Sequence, residues 1–159
     1  MAINPKPCAL CKRPMELGVL PVLAGDEESC RITLGNVPVM VCAEGHKRLL
    51  YSNFVMELMD TLAQPETAGL RVGEKRGIFR KRFRCIKCSS DIQGGHTAIA
   101  EFRASLRLRD MTDSVSVALT APVMRCSSCG GEQLADERSL MQVFKALTRA
   151  FRSADVRPQ

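Results

Sequence analysis

The chain has no tryptophan, one tyrosine and only two histidines among its 159 residues, and aromatic side chains make up 4% of it. So few rings leave little surface on which unpaired bases could stack. So few histidines leave little material for acid–base chemistry near neutral pH. Long apolar runs are missing too. The longest, Val37-Pro38-Val39-Met40-Val41-Cys42, is the size of a strand, far short of the roughly 18 apolar residues that a membrane-spanning helix requires. The opening residues, Met1-Ala2-Ile3-Asn4-Pro5-Lys6-Pro7-Cys8, carry no apolar core of a signal peptide. The expectation is a cytoplasmic protein without a membrane partner, in a compartment where disulfides are rare. HExxH, GxSxG and a phosphate-cradling P-loop are all absent from the sequence. At 45% hydrophobic residues, wholesale disorder is excluded as well.

Against these gaps stand eight cysteines, and in a reducing compartment metal is their leading explanation. Cys8/Cys11, Cys85/Cys88 and Cys126/Cys129 have CxxC spacing, and Cys42-Ala43-Glu44-Gly45-His46 reads CxxxH. Two residues between ligands let one tight turn aim both donors at a single ion, and tetrahedral zinc needs two such turns. Cys85, Cys88, Cys126 and Cys129 form a complete set of thiolates. Cys8, Cys11, Cys42 and His46 form a second set, three thiolates and an imidazole. Two zinc ions per chain are expected. Cys30 is left over, either a substitute for His46 at the first site or a small buried apolar residue.

The ligands sit in matching frames. Residues 37–42 align with Ala121-Pro122-Val123-Met124-Arg125-Cys126, and each half runs from CxxC through β-like sequence to Pro-Val-Met-x-Cys and then a helix. This is an internal duplication. Even positions over 98–108 are apolar and odd ones include Glu101, Arg103 and Arg107, the period of a strand. Val115, Val117 and Leu119 resume the alternation after turn chemistry at Asp110-Met111-Thr112-Asp113, and the wider gap between knuckles predicts a longer second hairpin. In the first half, 19–23, 30–34 and 37–42 read as strands, with turns at Gly25-Asp26-Glu27-Glu28 and Gly35-Asn36. Tyr51, Phe54, Val55, Leu58, Met59 and Leu62 predict a helix capped by Ser52 and stopped by Pro65. Leu140, Val143, Phe144, Leu147 and Phe151 predict another, with Asp136 and Glu137 in its first turn. The fold class is therefore α+β: two tandem zinc-ribbon-like units, each a zinc-knuckle hairpin followed by an amphipathic helix. The expected boundaries are 1–66 for the first unit, 67–84 for a linker, 85–153 for the second unit and 154–159 for a tail. Units of this size hold a small core and depend on their metal.

The order CxxC, hairpin, apolar strand, CxxC-Gly and helix, seen in Cys85/Cys88 and Pro122-Val123-Met124-Arg125-Cys126-Ser127-Ser128-Cys129-Gly130, resembles the YgiT-type zinc finger. That finger is the zinc-binding N-terminal domain of MqsA-type antitoxins. The resemblance implies a structural zinc on four cysteines and a surface that grips a protein partner. The first unit departs from it at His46. A second zinc unit stands here where the antitoxin has an operator-binding helix-turn-helix, so operator binding is not implied.

Charge is concentrated. Residues 71–84 hold seven basic side chains, Arg71, Lys75, Arg76, Arg80, Lys81, Arg82 and Arg84, against the single acid Glu74, within a chain of net charge +6. Such density attracts a phosphate backbone, with Phe79 and Phe83 interleaved, though a solvated linker or a contact for an acidic protein has the same composition. Arg80-Lys81-Arg82 also reads as a basic targeting cluster. Arg103, Arg107 and Arg109 add charge to one face of the second hairpin. Both metal sets are full and His96 lies in a glycine turn, so no enzyme and no small-molecule substrate are expected. The remote alternative is a zinc hydrolase or deaminase, on the loose echo of Cys42-Ala43-Glu44 and Cys85/Cys88. The functional expectation is a regulatory or adaptor protein bound to nucleic acid, or a docking module for another protein.

Overall fold

The computed structural model describes residues 6–64, 71–73, 75–78, 82–92, 97–108 and 112–157. Two antiparallel hairpins dominate: β1 (Met15–Glu27) with β2 (Cys30–Cys42), joined by a short turn, and β7 (Thr97–Leu106) with β8 (Val115–Arg125). They lie side by side through β2 and β8, which pair antiparallel, so both units contribute to one sheet. Short β3 (Lys47–Leu49) continues along β2, and β9 (Glu132–Leu134) along β8. Two helices, α1 (Phe54–Ala63) and α2 (Glu137–Ser153), cover the core, touching edge to face through Phe54 and Phe151 with centroids 6.3 Å apart. The predicted architecture of two hairpin-plus-helix units is present, and a single apolar cluster runs through both.

The β2–β8 seam explains several residues that periodicity misreads. Thr33 lies opposite Ala118, flanked by Ile32 opposite Leu119 and Leu34 opposite Val117. The pairs on either side of Pro21 and Asn36 are Leu20–Val37 and Val22–Gly35, so these two residues face each other across the first hairpin. Treated as one extra residue on each strand, they bring Thr33 into equivalence with Ala118, its own partner. A pseudo-twofold axis then passes through that pair. An antiparallel pair with such symmetry must place a residue against its own equivalent, because a one-residue slip turns every side chain to the other face. Asn36 accomplishes the shift with φ +59°, a left-handed conformation that asparagine tolerates better than most residues. The shared apolar cluster follows: β2 gives it Cys30, Ile32 and Leu34 before Asn36, then Val37 and Val39 after it, whereas β8 alternates without a break through Val117, Leu119, Ala121 and Val123. The turn expected at Gly35-Asn36 is thus a phase shift inside a continuous strand. The turn expected over 25–28 falls later, after Glu27, because Gly25 and Asp26 still pair with Ile32 and Arg31.

The helices are exchanged. α2 packs on β1 and β2 of the first unit, and α1 packs on β7 of the second. Chain that follows each helix crosses in the same sense. β10 (Val156–Arg157) runs parallel to β3, and Val72, after α1, bridges to Leu134 of β9. Gly25 marks the closest approach of α2, since a Cβ there would overlap the Ala146 carbonyl and the Ala150 backbone. Glu27 pairs with Arg149 at 2.6 Å and Glu28 with Arg138 at 3.1 Å across the same contact. Asp136 is the N-cap of α2, not a first-turn residue, and accepts the Ser139 N–H at 2.8 Å. For α1 the N-cap is Asn53, in place of Ser52, and no side chain caps the helix.

The second hairpin has shorter strands than the first, and its additional residues lie in the approach from Cys88 and in the connection 107–114. Within 71–84, β4 (Lys75–Arg76) pairs with β5 (Arg82–Arg84), and β5 pairs in turn with β6 (Asp91–Ile92) to form a small antiparallel sheet. No helix among the described residues is long and apolar enough to cross a membrane. If the exchanged packing holds the fold together, Gly25→Val should destabilise the whole chain by about 2 kcal/mol or more. Urea unfolding should show one shifted transition covering both units, not a loss confined to residues 6–64.

Candidate metal centres and basic surface

Three knuckles share one backbone pattern. In each, the first cysteine carbonyl accepts the N–H four residues on (Lys12 at 2.9 Å, Ser89 at 2.9 Å, Gly130 at 2.8 Å). Its own N–H donates to the carbonyl five residues on, that of Arg13, Ser90 or Gly131. The residue after the second cysteine is left-handed, with φ +59° at Lys12, +61° at Ser89 and +69° at Gly130. The fourth knuckle is one residue tighter: Gly45 donates to the Cys42 carbonyl at 2.8 Å, and the Cys42 N–H reaches the His46 carbonyl at 3.1 Å. Gly45, with φ +80°, takes the left-handed place. The donor therefore falls after that residue and not before it, and an imidazole supplies the reach that a thiol would lack.

The four donor atoms of Cys8, Cys11, Cys42 and His46 lie within 4.8 Å of one another, as do those of Cys85, Cys88, Cys126 and Cys129. Sulfur–sulfur separations are 3.7 Å for Cys11–Cys42 and 3.6 Å for Cys85–Cys129 and Cys88–Cys126. His46 Nδ1 stands 3.4 Å from Cys42 Sγ and 3.6 Å from Cys8 Sγ. A tetrahedral zinc with bonds of about 2.3 Å to sulfur and 2.0 Å to nitrogen demands edges of about 3.8 Å and 3.5 Å. The groups match that size, while a disulfide would need about 2.05 Å and all eight cysteines are free. Each cluster can hold one zinc, two per chain. Cys42 and the Cys85/Cys88 pair belong to different clusters, so the deaminase-like ligand set is not assembled.

Thiolate formation is prepared unevenly. The Cys11 backbone N–H draws the Cys8 thiol down to about 6, and hydrogen bonds from Ser90 draw Cys88 down to about 6. Cys129 receives a lowering hydrogen bond from the Gly131 N–H, yet its neighbours Cys85 and Cys88 push it up to about 12. Four thiols this close cannot all ionise without a cation between them, which is the chemistry a divalent metal supplies. Outside the second cluster, buried Gln133 accepts the Ile86 N–H at 3.0 Å and donates to the Arg84 carbonyl at 3.0 Å, tying the Cys85 knuckle to β9. In the first unit Arg48 holds the matching place on β3 and donates to the Lys6 carbonyl at 3.1 Å. Neither of these supports was visible in the ligand spacing.

Cys30 joins neither cluster. It is 1% exposed beneath α2, its thiol 3.6 Å from Gln142 Oε1, and burial, with the charge of Glu28, pushes it up to about 11. Of the two alternatives for the first site, the structure places His46 in it. Among the basic residues, Arg71 donates its Nε–H to the Ala63 carbonyl at 2.9 Å, and Lys75 lies 5.7 Å over the Phe83 ring. Arg82 faces Asp91 at 3.7 Å, and Arg84 is half-buried. Arg80 and Lys81 lie outside the described residues, as do the side chain of Arg76 and residues Phe79, His96 and Arg109.

Comparison with protein-family models, curated proteins and solved structures gives no significant match to any of them. The tandem zinc-binding modules therefore stand on donor geometry. Native mass spectrometry is expected to find two zinc ions in the intact chain and one in His46→Ala or Cys126→Ala. Cys30→Ser should retain both; a loss of metal there would overturn the ligand assignment. Because zinc binding of this kind contributes on the order of 10 kcal/mol, chelation should abolish cooperative thermal unfolding.

Proposed function

We propose that this chain is a non-catalytic, zinc-stabilised regulatory or adaptor protein that associates with nucleic acid through residues 71–84. The observation that carries the reading is the charge of that segment, seven basic side chains against one acid. Exposed Lys75 and Arg82 stand on the small sheet whose strand β5 runs directly into the Cys85 knuckle. A metal-held platform that presents cations from short strands is suited to phosphate, whose recognition depends on charge more than on sequence. Four protein donors at each cluster leave no coordination position for a reacting water, which supports a structural role for the metal.

A protein-docking role is the second reading, favoured by edge strand β1. Leu17, Val19 and Val22 are each more than half exposed there, beside a strand edge left unpaired among the described residues, and such an edge can accept a strand from another chain. This is also the behaviour implied by the likeness to antitoxin zinc domains.

The two readings separate on one set of variants. In a fluorescence anisotropy titration with single- and double-stranded oligonucleotides, the intact chain should bind with an affinity that falls steeply with salt, by about 0.9 log units per log unit of salt for each duplex phosphate neutralised. Arg80→Glu/Lys81→Glu/Arg82→Glu should weaken binding by about a hundredfold or more at low salt. Binding indifferent to salt and to this triple reversal would dismiss the nucleic-acid reading and leave docking through β1.

A further inference from the structure

Beside the first knuckle of each unit lies a cavity lined by cations. The first, about 320 Å³, is bounded by Lys6, Leu10, Met15, Lys47, Arg48 and Arg157, with the metal donors Cys8 and His46 in the same wall. The second, about 330 Å³, is bounded by Arg71, Arg84, Ile86 and Ser89 beside Cys85. No carboxylate is among the described residues that line either one. The construction repeats in part: each cavity receives an arginine from the exchanged segment after the other unit's helix, Arg157 after α2 and Arg71 after α1, while the second arginine differs in place, Arg48 on β3 and Arg84 at the end of β5. Arg48 and Arg84 also share a defect. Their Nε atoms are buried and have no hydrogen-bond partner among the described residues, an arrangement that costs free energy unless something completes it.

The first cavity is the better formed. Arg48 and Arg157 are register partners on the parallel pair β3–β10 and so stand side by side on one face. Like charges placed so repel each other. The Arg48 guanidinium is steered by its bond to the Lys6 carbonyl, and Lys47 Nζ is tied to the Ala154 carbonyl at 3.2 Å. Lys6, the free face of Arg48 and Arg157 are left around a floor made by Leu10 and Met15. A guanidinium pair with an ammonium is fitted to the bidentate recognition of a phosphate dianion, and the apolar floor to the organic group that a phosphate carries.

We propose that the first cavity is a binding site for a phosphate monoester, held by Arg48 and Arg157 with Lys6, its organic part on Leu10 and Met15. The same chemistry is offered by a free small organic phosphate and by the 5′-phosphate at the end of a nucleic-acid strand. This site lies outside residues 71–84 and does not depend on the function proposed above.

The test is isothermal titration of the zinc-loaded full chain at low salt with a nucleoside 5′-monophosphate, alongside inorganic phosphate. Saturable binding is expected, with the nucleotide tighter than phosphate, and Arg48→Gln should weaken it by about tenfold or more. That substitution should keep the fold, because Gln133 occupies the matching place in the second unit and there donates to the Arg84 carbonyl just before Cys85. Zinc content and the melting curve check this, and Arg157→Gln repeats the test on an exposed side chain. Wild-type binding in both variants, or no saturable binding of either anion, would overturn the proposal. With Arg80→Glu/Lys81→Glu/Arg82→Glu in place, preference for a 5′-phosphorylated over a 5′-hydroxyl oligonucleotide would assign the strand end. Equal weak binding of the two, with the mononucleotide still bound, would assign the free organic phosphate.

Discussion

The pairing of β2 with β8 is the contact on which the rest of the molecule depends. Along Arg31–Gly35 and Thr120–Ser116 it joins two metal-clamped hairpins into one sheet, and it requires that both present their apolar face to the same side. The two hairpins meet this requirement differently: β8 alternates without interruption, while β2 changes phase at Asn36. The metals act at the ends of the same two strands. Cys42 closes β2, and Cys126 follows β8 directly. Each zinc therefore pins the far end of a seam strand to the start of its own unit, and the seam pins the near ends to each other. A unit without its metal would fray from the knuckle inward along the strand that its neighbour uses as a partner.

Exchange of the helices makes this interdependence energetic as well as geometric. A 60- to 75-residue zinc unit has a small core, only a few kcal/mol in isolation. Here α2 contributes Val143, Ala146, Leu147 and Ala150 to a cluster that also contains Leu23, Ile32 and Leu34 of the first unit. The apolar surface that stabilises one hairpin is thus carried by chain from the other half. The salt links from Glu27 and Glu28 to α2 are exposed on the arginine side and add little energy, but they run across the exchanged contact in a fixed register. Contacts so distant in sequence close late in folding, which favours metal binding at the local knuckles as the earlier event.

What could be read from sequence was local. A CxxC knuckle is built from its own five or six residues, so its spacing revealed the ligands, and the backbone pattern at Cys8, Cys85 and Cys126 is the physical content of that spacing. The alternation over β7 and the stripes of both helices were legible for the same reason: each records which face of an element is apolar. None of these patterns records what covers that face. The crossing of α1 and α2, the seam, and the equivalence of Cys30 with Val115 once Pro21 and Asn36 are set aside all depend on residues far apart in the chain. Gly35-Asn36 shows the limit clearly. Its composition correctly announces a left-handed residue, but whether that residue reverses the chain or only shifts its phase is decided by the partner strands. The short strands of 71–84 escaped for another reason: they have two or three residues each and are held by pairing of Phe83 with Lys75 and Ile92, too little sequence for a period to show.

The substitution of His46 for a fourth cysteine has an electrostatic consequence beyond reach. A zinc held by three thiolates and a neutral imidazole carries one negative charge fewer than a zinc held by four thiolates. In the second unit Arg71 and Arg84 line the cavity beside Cys85, next to the more negative complex, which neutralises part of their charge. In the first unit Lys6, Lys47, Arg48 and Arg157 surround the less negative one, so more of their charge remains uncompensated. With both metals bound, this difference favours an anion at the cavity beside the imidazole over one at the cavity beside Cys85. A single residue in the tightest of the four knuckles thus gives the two metal centres of a duplicated scaffold different charge.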